Sequence, residues 1–164
     1  MRRRFLSLLL AASGGLAAAE PLSVDLFLAT DCPIARAYSP EIERLHLDWS
    51  ERGVAFRLVF PDRDLDEETL RRHLAEYGLT APFVLDRNRA LVKRAGATTT
   101  PEAVVFDAEG RIVYRGCIDN RYSALGSRLS EATDLYLRDA LEAAAAGRKP
   151  AISETVPIGC LIED

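Results

Sequence analysis

No uncharged stretch in the sequence is long enough to cross a bilayer. The longest, residues 5–19, has 15 residues, against roughly 20 for a spanning helix, which excludes a multi-span membrane protein. There is no basic excess either. Lys and Arg number 21 against 25 Asp and Glu, a net charge of −4, and this argues against nucleic acid as a partner. Histidine is limited to His46 and His73, both on amphipathic segments where packing accounts for them. Cysteine is scarce and scattered: Cys32, Cys117 and Cys160 form neither a C-x-x-C nor a C-x-x-x-C turn. A local dithiol is thereby excluded, as is a copper site built on such a turn. There is no internal repeat and no linker, so 164 residues at 48% hydrophobic and 28% charged imply one globular domain.

Arg2, Arg3 and Arg4 stand before the apolar stretch, which ends in Ala17-Ala18-Ala19 ahead of Glu20, the first acid. A basic end, a short apolar core and an A-x-A site predict a secretory signal peptide over residues 1–19. Arg2-Arg3-Arg4-Phe5-Leu6 also resembles the twin-arginine export pattern. No cysteine lies near the cleavage site to carry a lipid anchor. Cleavage removes three arginines and no acid, so the net charge moves from −4 to −7. The expected product is a periplasmic or extracellular protein without stable membrane insertion. It keeps all three cysteines, in a compartment where disulfides persist.

Residues 23–29 (SVDLFLA) predict a strand. Ser39-Pro40-Glu41 reads as the N-cap, N1 proline and first-turn acid of a helix. Ile42, Leu45 and Trp49 lie on one face of it, and Gly53 closes it. Residues 54–60 predict a second strand, and Asp66-Glu67-Glu68 opens a helix with Leu70, Leu74 and Tyr77 inward. A short strand at 83–85 and a short helix at 88–95 follow. Residues 103–106 and 111–115, joined by a turn ending in Gly110, predict a β-hairpin. A last helix starts at Ser130 or Thr133 and stops at Gly147 and Pro150. The tail, 150–164, carries no period and reads as irregular. This order implies an α/β fold over residues 20–164: a mixed central sheet with a parallel core, right-handed crossovers, an antiparallel hairpin at one side, and flanking helices.

Cys32 falls between the first strand and the first helix, where α/β folds place their sites. The positive end of a helix and its free N–H groups stabilise a thiolate there. Asp31 beside it acts in the opposite sense. Thr100-Pro101 stands at the entrance of the hairpin, a place that tolerates proline because no donor is needed.

Together these features resemble a known fold. Cys32-Pro33-Ile34-Ala35 matches a C-P-x-x active-site turn, and Pro40 stands where thioredoxins carry a kinking proline in the helix. Thr100-Pro101 matches the cis-proline that faces the active-site cysteine. Phe83-Val84-Leu85-Asp86 and the helix after it look like the strand–helix insertion of redoxins. The chain resembles exported redoxin-like, thioredoxin-fold proteins of the alkyl-hydroperoxide-reductase/thiol-specific-antioxidant superfamily over nearly all of residues 23–162. TDCPIARAYSPEI, TTTPEAVVFDAEGRIVYRGCIDNRY, LRDALEAAAAGRKP and VPIGC carry the likeness. It implies that Cys32 is a nucleophile and that Pro101, with Pro33 and Thr100, shapes a substrate groove. It implies no cofactor and no metal.

Three departures qualify the resemblance. Ala35 replaces the second cysteine of a dithiol turn, so a mixed disulfide on Cys32 needs another thiol for release. Asp25 and Ala29 stand where peroxiredoxins carry the P-x-x-x-T residues, and Thr100-Pro101 occupies the stretch of their arginine. The acid that thioredoxins bury six residues before the cysteine is here Leu26; Asp25 is one position off, on the opposite strand face. Two cysteines are candidates to resolve Cys32. Cys117 ends the returning strand of the hairpin, which brings it back toward Pro101. Cys160 lies on a tail with reach enough to fold back, in a Gly159-Cys160 pair resembling the relatives. Both pairings stay open. Asp119, Asn120 and Arg121 follow Cys117 and read either as lining the same pocket or, the safer reading, as a solvated turn.

The functional expectation is an exported thiol-disulfide oxidoreductase acting on a protein or small-molecule disulfide, regenerated by an external reductant. The alternatives are a thiol peroxidase of peroxiredoxin type and a non-catalytic binding or copper-handling module.

Overall fold

A computed structural model describes residues 22–163; the expected signal peptide lies outside them. In chain order the elements are β1 (Ser23–Phe27), α1 (Pro33–Ser50), β2 (Ala55–Phe60), α2 (Glu67–Glu76), β3 (Phe83–Leu85), α3 (Ala90–Ala95), β4 (Thr99–Thr100), β5 (Glu102–Phe106), β6 (Ile112–Gly116), β7 (Tyr122–Ala124), β8 (Ser127–Arg128), α4 (Tyr136–Ala145) and β9 (Cys160–Leu161). The central sheet runs β3-β2-β1-β5-β6. Its β1, β2 and β3 are parallel, and β5 is antiparallel to both β1 and β6. This is the mixed sheet that the strand–helix alternation and the hairpin predict.

Strand alternation sorts the core onto two faces. Val24 and Leu26 of β1 join α1 (Ile42, Leu45, Trp49), α2 (Leu70, Leu74) and α4 (Leu137, Leu141) in one cluster. Phe27, Val59, Val104 and Phe106 point the other way, packing with Ala95 of α3 and with Ile162 of the tail. The tail is therefore part of the second core.

Three boundaries differ from the sequence reading, each for a local reason. First, α1 begins at Pro33, not at Ser39-Pro40. Cys32 is its N-cap in an extended conformation, Pro33 occupies the first turn, and the Arg36 N–H closes that turn on the Cys32 carbonyl at 3.1 Å. Two prolines compete for the helix start. The earlier one prevails because Ile34, Ala35 and Tyr38 are all buried on the same face as Ile42. Pro40 then sits inside the helix and removes one backbone donor.

Second, α4 begins at Tyr136 rather than at Ser130 or Thr133. The Asn120 side-chain oxygen accepts the Thr133 and Asp134 N–H groups at 2.9 and 3.2 Å, which holds that segment out of the helix. Third, the tail is not wholly irregular. Glu154 bridges to Arg115, and β9 pairs antiparallel with β4. Pairings this short leave no alternation in the sequence to signal them.

Candidate functional site: a buried thiol facing a tail strand

Cys32 is fully buried, with 0% exposure. The end of β1 delivers it and the start of α1 fixes it. Its thiol donates to the Thr100 carbonyl at 3.1 Å, and the Thr100–Pro101 peptide bond is cis. Thr100 and Pro101 thus stand against Cys32 as the resemblance implies, and Pro33 follows it in the first helical turn.

The strand β9 lays Cys160 opposite Thr100 and Leu161 opposite Thr99, which sets Cys160 beside the residue whose carbonyl the Cys32 thiol bonds. Burial opposes ionisation of Cys32. The Cys160 thiol and the N–H groups of Ala35, Cys160 and Ile34 outweigh it, so the Cys32 thiol titrates below its ordinary value. Cys160 is pushed up to about 11, first by its hydrogen bond to Cys32, then by burial and by the negative charges of Cys32 and Asp31. Of the two thiols, Cys32 is therefore the one that ionises more readily.

The third cysteine faces elsewhere. The Cys117 thiol donates to the Val156 carbonyl at 3.1 Å, and burial pushes it up. It lines a cavity of about 10 Å³ with Tyr38, Pro101, Asp119 and Ile158, too small for a substrate. All three cysteines are free thiols.

Two supporting groups are not apparent from sequence. Glu102, after the cis-proline, is 2% exposed. One of its oxygens accepts the Thr98 and Thr99 N–H groups at 2.8 and 3.1 Å, which fixes the edge against which β9 lies. Burial holds its carboxyl above the usual carboxylate range. Asp119 is the other, and of its two readings the solvated turn fails while the pocket lining beside Cys117 holds: it is buried and accepts the Tyr38 hydroxyl of α1 and the Arg121 N–H at 2.8 Å. Burial and then Asp119 raise the Tyr38 hydroxyl far above its ordinary value. An acid buried beside a cis-proline and an acid three residues past a strand end both look like turn residues in sequence.

Asp25 is buried on the α3 face and holds Arg57 at 2.9 and 2.7 Å. It lines a groove of about 570 Å³ with Arg57, Arg94 and Phe106, at the far end of β1 from Cys32. Among the described residues no three His, Cys, Asp or Glu side chains converge as metal ligands, and no helix is long and apolar enough to cross a membrane.

The sheet order, the thiol at the start of α1 and the cis-proline facing it define a thioredoxin-like fold. The Redoxin family model matches residues 17–128, and the chain belongs to the Redoxin family. It is similar to the thiol-disulfide oxidoreductase ResA of Halalkalibacterium halodurans, 28% identical over 87 residues, or 53% of this chain and 48% of that protein. The chain thus spans about half the length of this curated relative. Among solved structures, an uncharacterized conserved protein from Geobacillus kaustophilus superposes with a TM-score of 0.74 at 27% identity, covering 88% of this chain and 78% of that one. A secreted disulfide oxidoreductase from Mycobacterium tuberculosis shares the fold, with a TM-score of 0.53, 17% identity and coverage of 80% and 85%.

Proposed function

We propose that the protein is an exported thiol-disulfide oxidoreductase in which Cys32 attacks and Cys160 resolves. The observation that carries this reading is the pair itself: a thiol on the N-cap residue of α1, held below its ordinary pKa, with a second cysteine set beside it by β9. The similarity to a protein named a thiol-disulfide oxidoreductase supports it.

The chemistry follows from the donors. The Cys32 thiolate attacks one sulfur of a substrate disulfide, forming a mixed disulfide and expelling the other sulfur as a thiolate. Cys160, deprotonated, attacks the Cys32 sulfur of that bond. The Cys32–Cys160 disulfide forms and the second substrate thiolate leaves. The substrate gains two electrons, the protein loses two, and an external dithiol restores both thiols. Thr100, Pro101 and Pro33 wall the groove in which the substrate disulfide lies. The substrate is a protein or small-molecule disulfide, and the leader-like residues 1–19 support an exported site of action.

Reduction of a small aromatic disulfide by excess dithiol tests this. Cys32→Ser should abolish turnover. With the dithiol left out, Cys160→Ser should release one equivalent of aromatic thiolate and keep a mixed disulfide on Cys32, where the unaltered pair releases two; with the dithiol present, Cys117→Ser should leave turnover within about twofold. Undiminished turnover by Cys32→Ser, or loss of turnover in Cys117→Ser alone, refutes the assignment.

A further inference from the structure

The thiol read as the nucleophile has no exposed surface, and what covers its groove is the chain's own tail. The Ile162 N–H donates to the Thr98 carbonyl at 2.9 Å. The Thr100 hydroxyl donates to the Cys160 carbonyl at 3.4 Å. The backbone edge of residues 98–100, presented by Glu102, is therefore already paired.

Upstream the tail is fastened a second time. The Arg115 N–H donates to the Ser153 carbonyl and the Thr155 N–H to the Arg115 carbonyl, both at 3.0 Å. The Cys117 N–H donates to the Thr155 hydroxyl at 2.8 Å. Gly116 permits this approach, since its φ is +137° and a Cβ there would collide with Thr155. Between the two fastenings Val156 is 81% exposed, and within β9 itself Leu161 is 77% exposed. The strap has an inner face in contact and a bare outer face.

Its contact with the edge is close at one residue above all. A Cβ on Gly159 would land on the Thr100 carbonyl, against backbone that does not move freely. The strand seated there must therefore have glycine immediately before its cysteine.

We propose that the edge of residues 98–100 is a seat for one extended strand with a Gly-Cys pair, filled at rest by residues 158–162. A polypeptide substrate reaches Cys32 by displacing this strap and is selected for glycine before its reacting cysteine. This rests on the thiol-exchange reading and adds to it a substrate class and a competitor. Release is local. Residues 158–162 lift while the fastening at 153–155 stays, and Ile162 leaves the second core.

The test uses the full chain carrying Cys117→Ser and Cys160→Ser, with Gly159 kept or changed to Ala. The probe is the peptide Val-Pro-Ile-Gly-Cys-Leu-Ile, its cysteine activated as a mixed disulfide with thionitrobenzoate, beside the same peptide with Ala for Gly. The Cys32 thiolate attacks the peptide sulfur, a Cys32–peptide disulfide forms, and coloured thionitrobenzoate leaves, so one absorbance reports capture.

Gly159→Ala should unseat the strap and speed capture of the Gly-Cys peptide about tenfold, the effect of losing one ladder hydrogen bond. The Ala-Cys peptide should react at least about tenfold more slowly than the Gly-Cys peptide on the same protein. Ile162→Pro, which removes the donor to Thr98, replaces Gly159→Ala if circular dichroism shows that variant unfolded. Equal capture with the strap seated or unseated overturns the proposal, and so does equal capture of the two peptides. If the small aromatic disulfide also fails to react with Cys32 in every variant, the exchange reading itself fails. If it reacts while the peptides are not distinguished, only the seat is wrong.

Discussion

Glu102 gives the sharpest test of how the site is held. Its carboxylate makes no contact with a sulfur; it accepts the N–H groups of Thr98 and Thr99 and so sets the edge that β9 pairs with. In Glu102→Ala the Thr99 amide, at a residue only 5% exposed, loses its partner, which costs about 1–3 kcal/mol. The missing methylene adds about 0.8 kcal/mol, whereas Thr98 is exposed and turns to water. The expected loss is about 2–4 kcal/mol, read as a lower urea midpoint at constant slope. Glu102→Gln keeps an oxygen acceptor for both amides and should stay within about 1 kcal/mol of wild type. The pH dependence separates the two further. Burial raises the Glu102 carboxyl above its ordinary 4.5. Its contribution to stability is full below that ordinary value and is given up as pH climbs through the raised one. Glu102→Gln should therefore gain on wild type as pH rises from about 4.5 toward neutrality. A Gln variant as unstable as the Ala variant, or an Ala variant within about 0.5 kcal/mol of wild type, refutes the role.

Two further outcomes follow from the same contacts. Tyr38→Phe removes the hydroxyl that Asp119 accepts while leaving the Arg121 N–H in place; urea unfolding should show a loss of about 1–3 kcal/mol, and an unchanged midpoint would count against the pair. Asp25→Asn should change the rate of Cys32 with a small aromatic disulfide by no more than about twofold, because Asp25 holds Arg57 on the α3 face; a loss of about tenfold would place that acid in the site after all.

The frame of the fold was legible because it rests on long-range rules that sequence expresses directly. Strands of Val, Leu and Phe, the Asp66 cap that accepts the Thr69 N–H at 2.9 Å, and the hairpin turn all recur in the structure. The site was legible in part. Cys32 and Pro101 announce themselves by their place between elements, and the structure sets Thr100 and Cys32 together. The tail was not legible, because two-residue pairings have no period, and Gly159 has meaning only once the Thr100 carbonyl is beside it. Glu102 and Asp119 escaped for a related reason: a buried acid and an exposed turn acid are the same letter, and only the N–H groups and the Tyr38 hydroxyl around them tell the two apart. The helix start at Pro33 escaped because two prolines fitted the same capping rule, and burial of Ile34, Ala35 and Tyr38 decided between them.

In the proposed exchange, placing the second thiol on the tail, rather than in the helix beside the first, gives the pair an order of action. While Cys32 is free, Cys160 resists ionisation, raised to about 11 first by its interaction with the Cys32 thiol, then by burial and by the charges of Cys32 and Asp31. Once Cys32 is bound in a mixed disulfide its sulfur is neutral and a poor acceptor, so the largest of those causes and the Cys32 charge vanish together. Burial and Asp31 remain. Cys160 then ionises more readily, at the step where an attacking thiolate is needed. Cys32→Ala in a Cys117→Ser background isolates this effect, since it removes the charge and the acceptor and leaves Cys160 the sole thiol. The pH profile of its alkylation should have a midpoint below the value of about 11 that Cys160 holds beside Cys32. A midpoint at or above that value would mean that burial and Asp31, not Cys32, keep Cys160 protonated, and the ordered exchange would lose its physical basis.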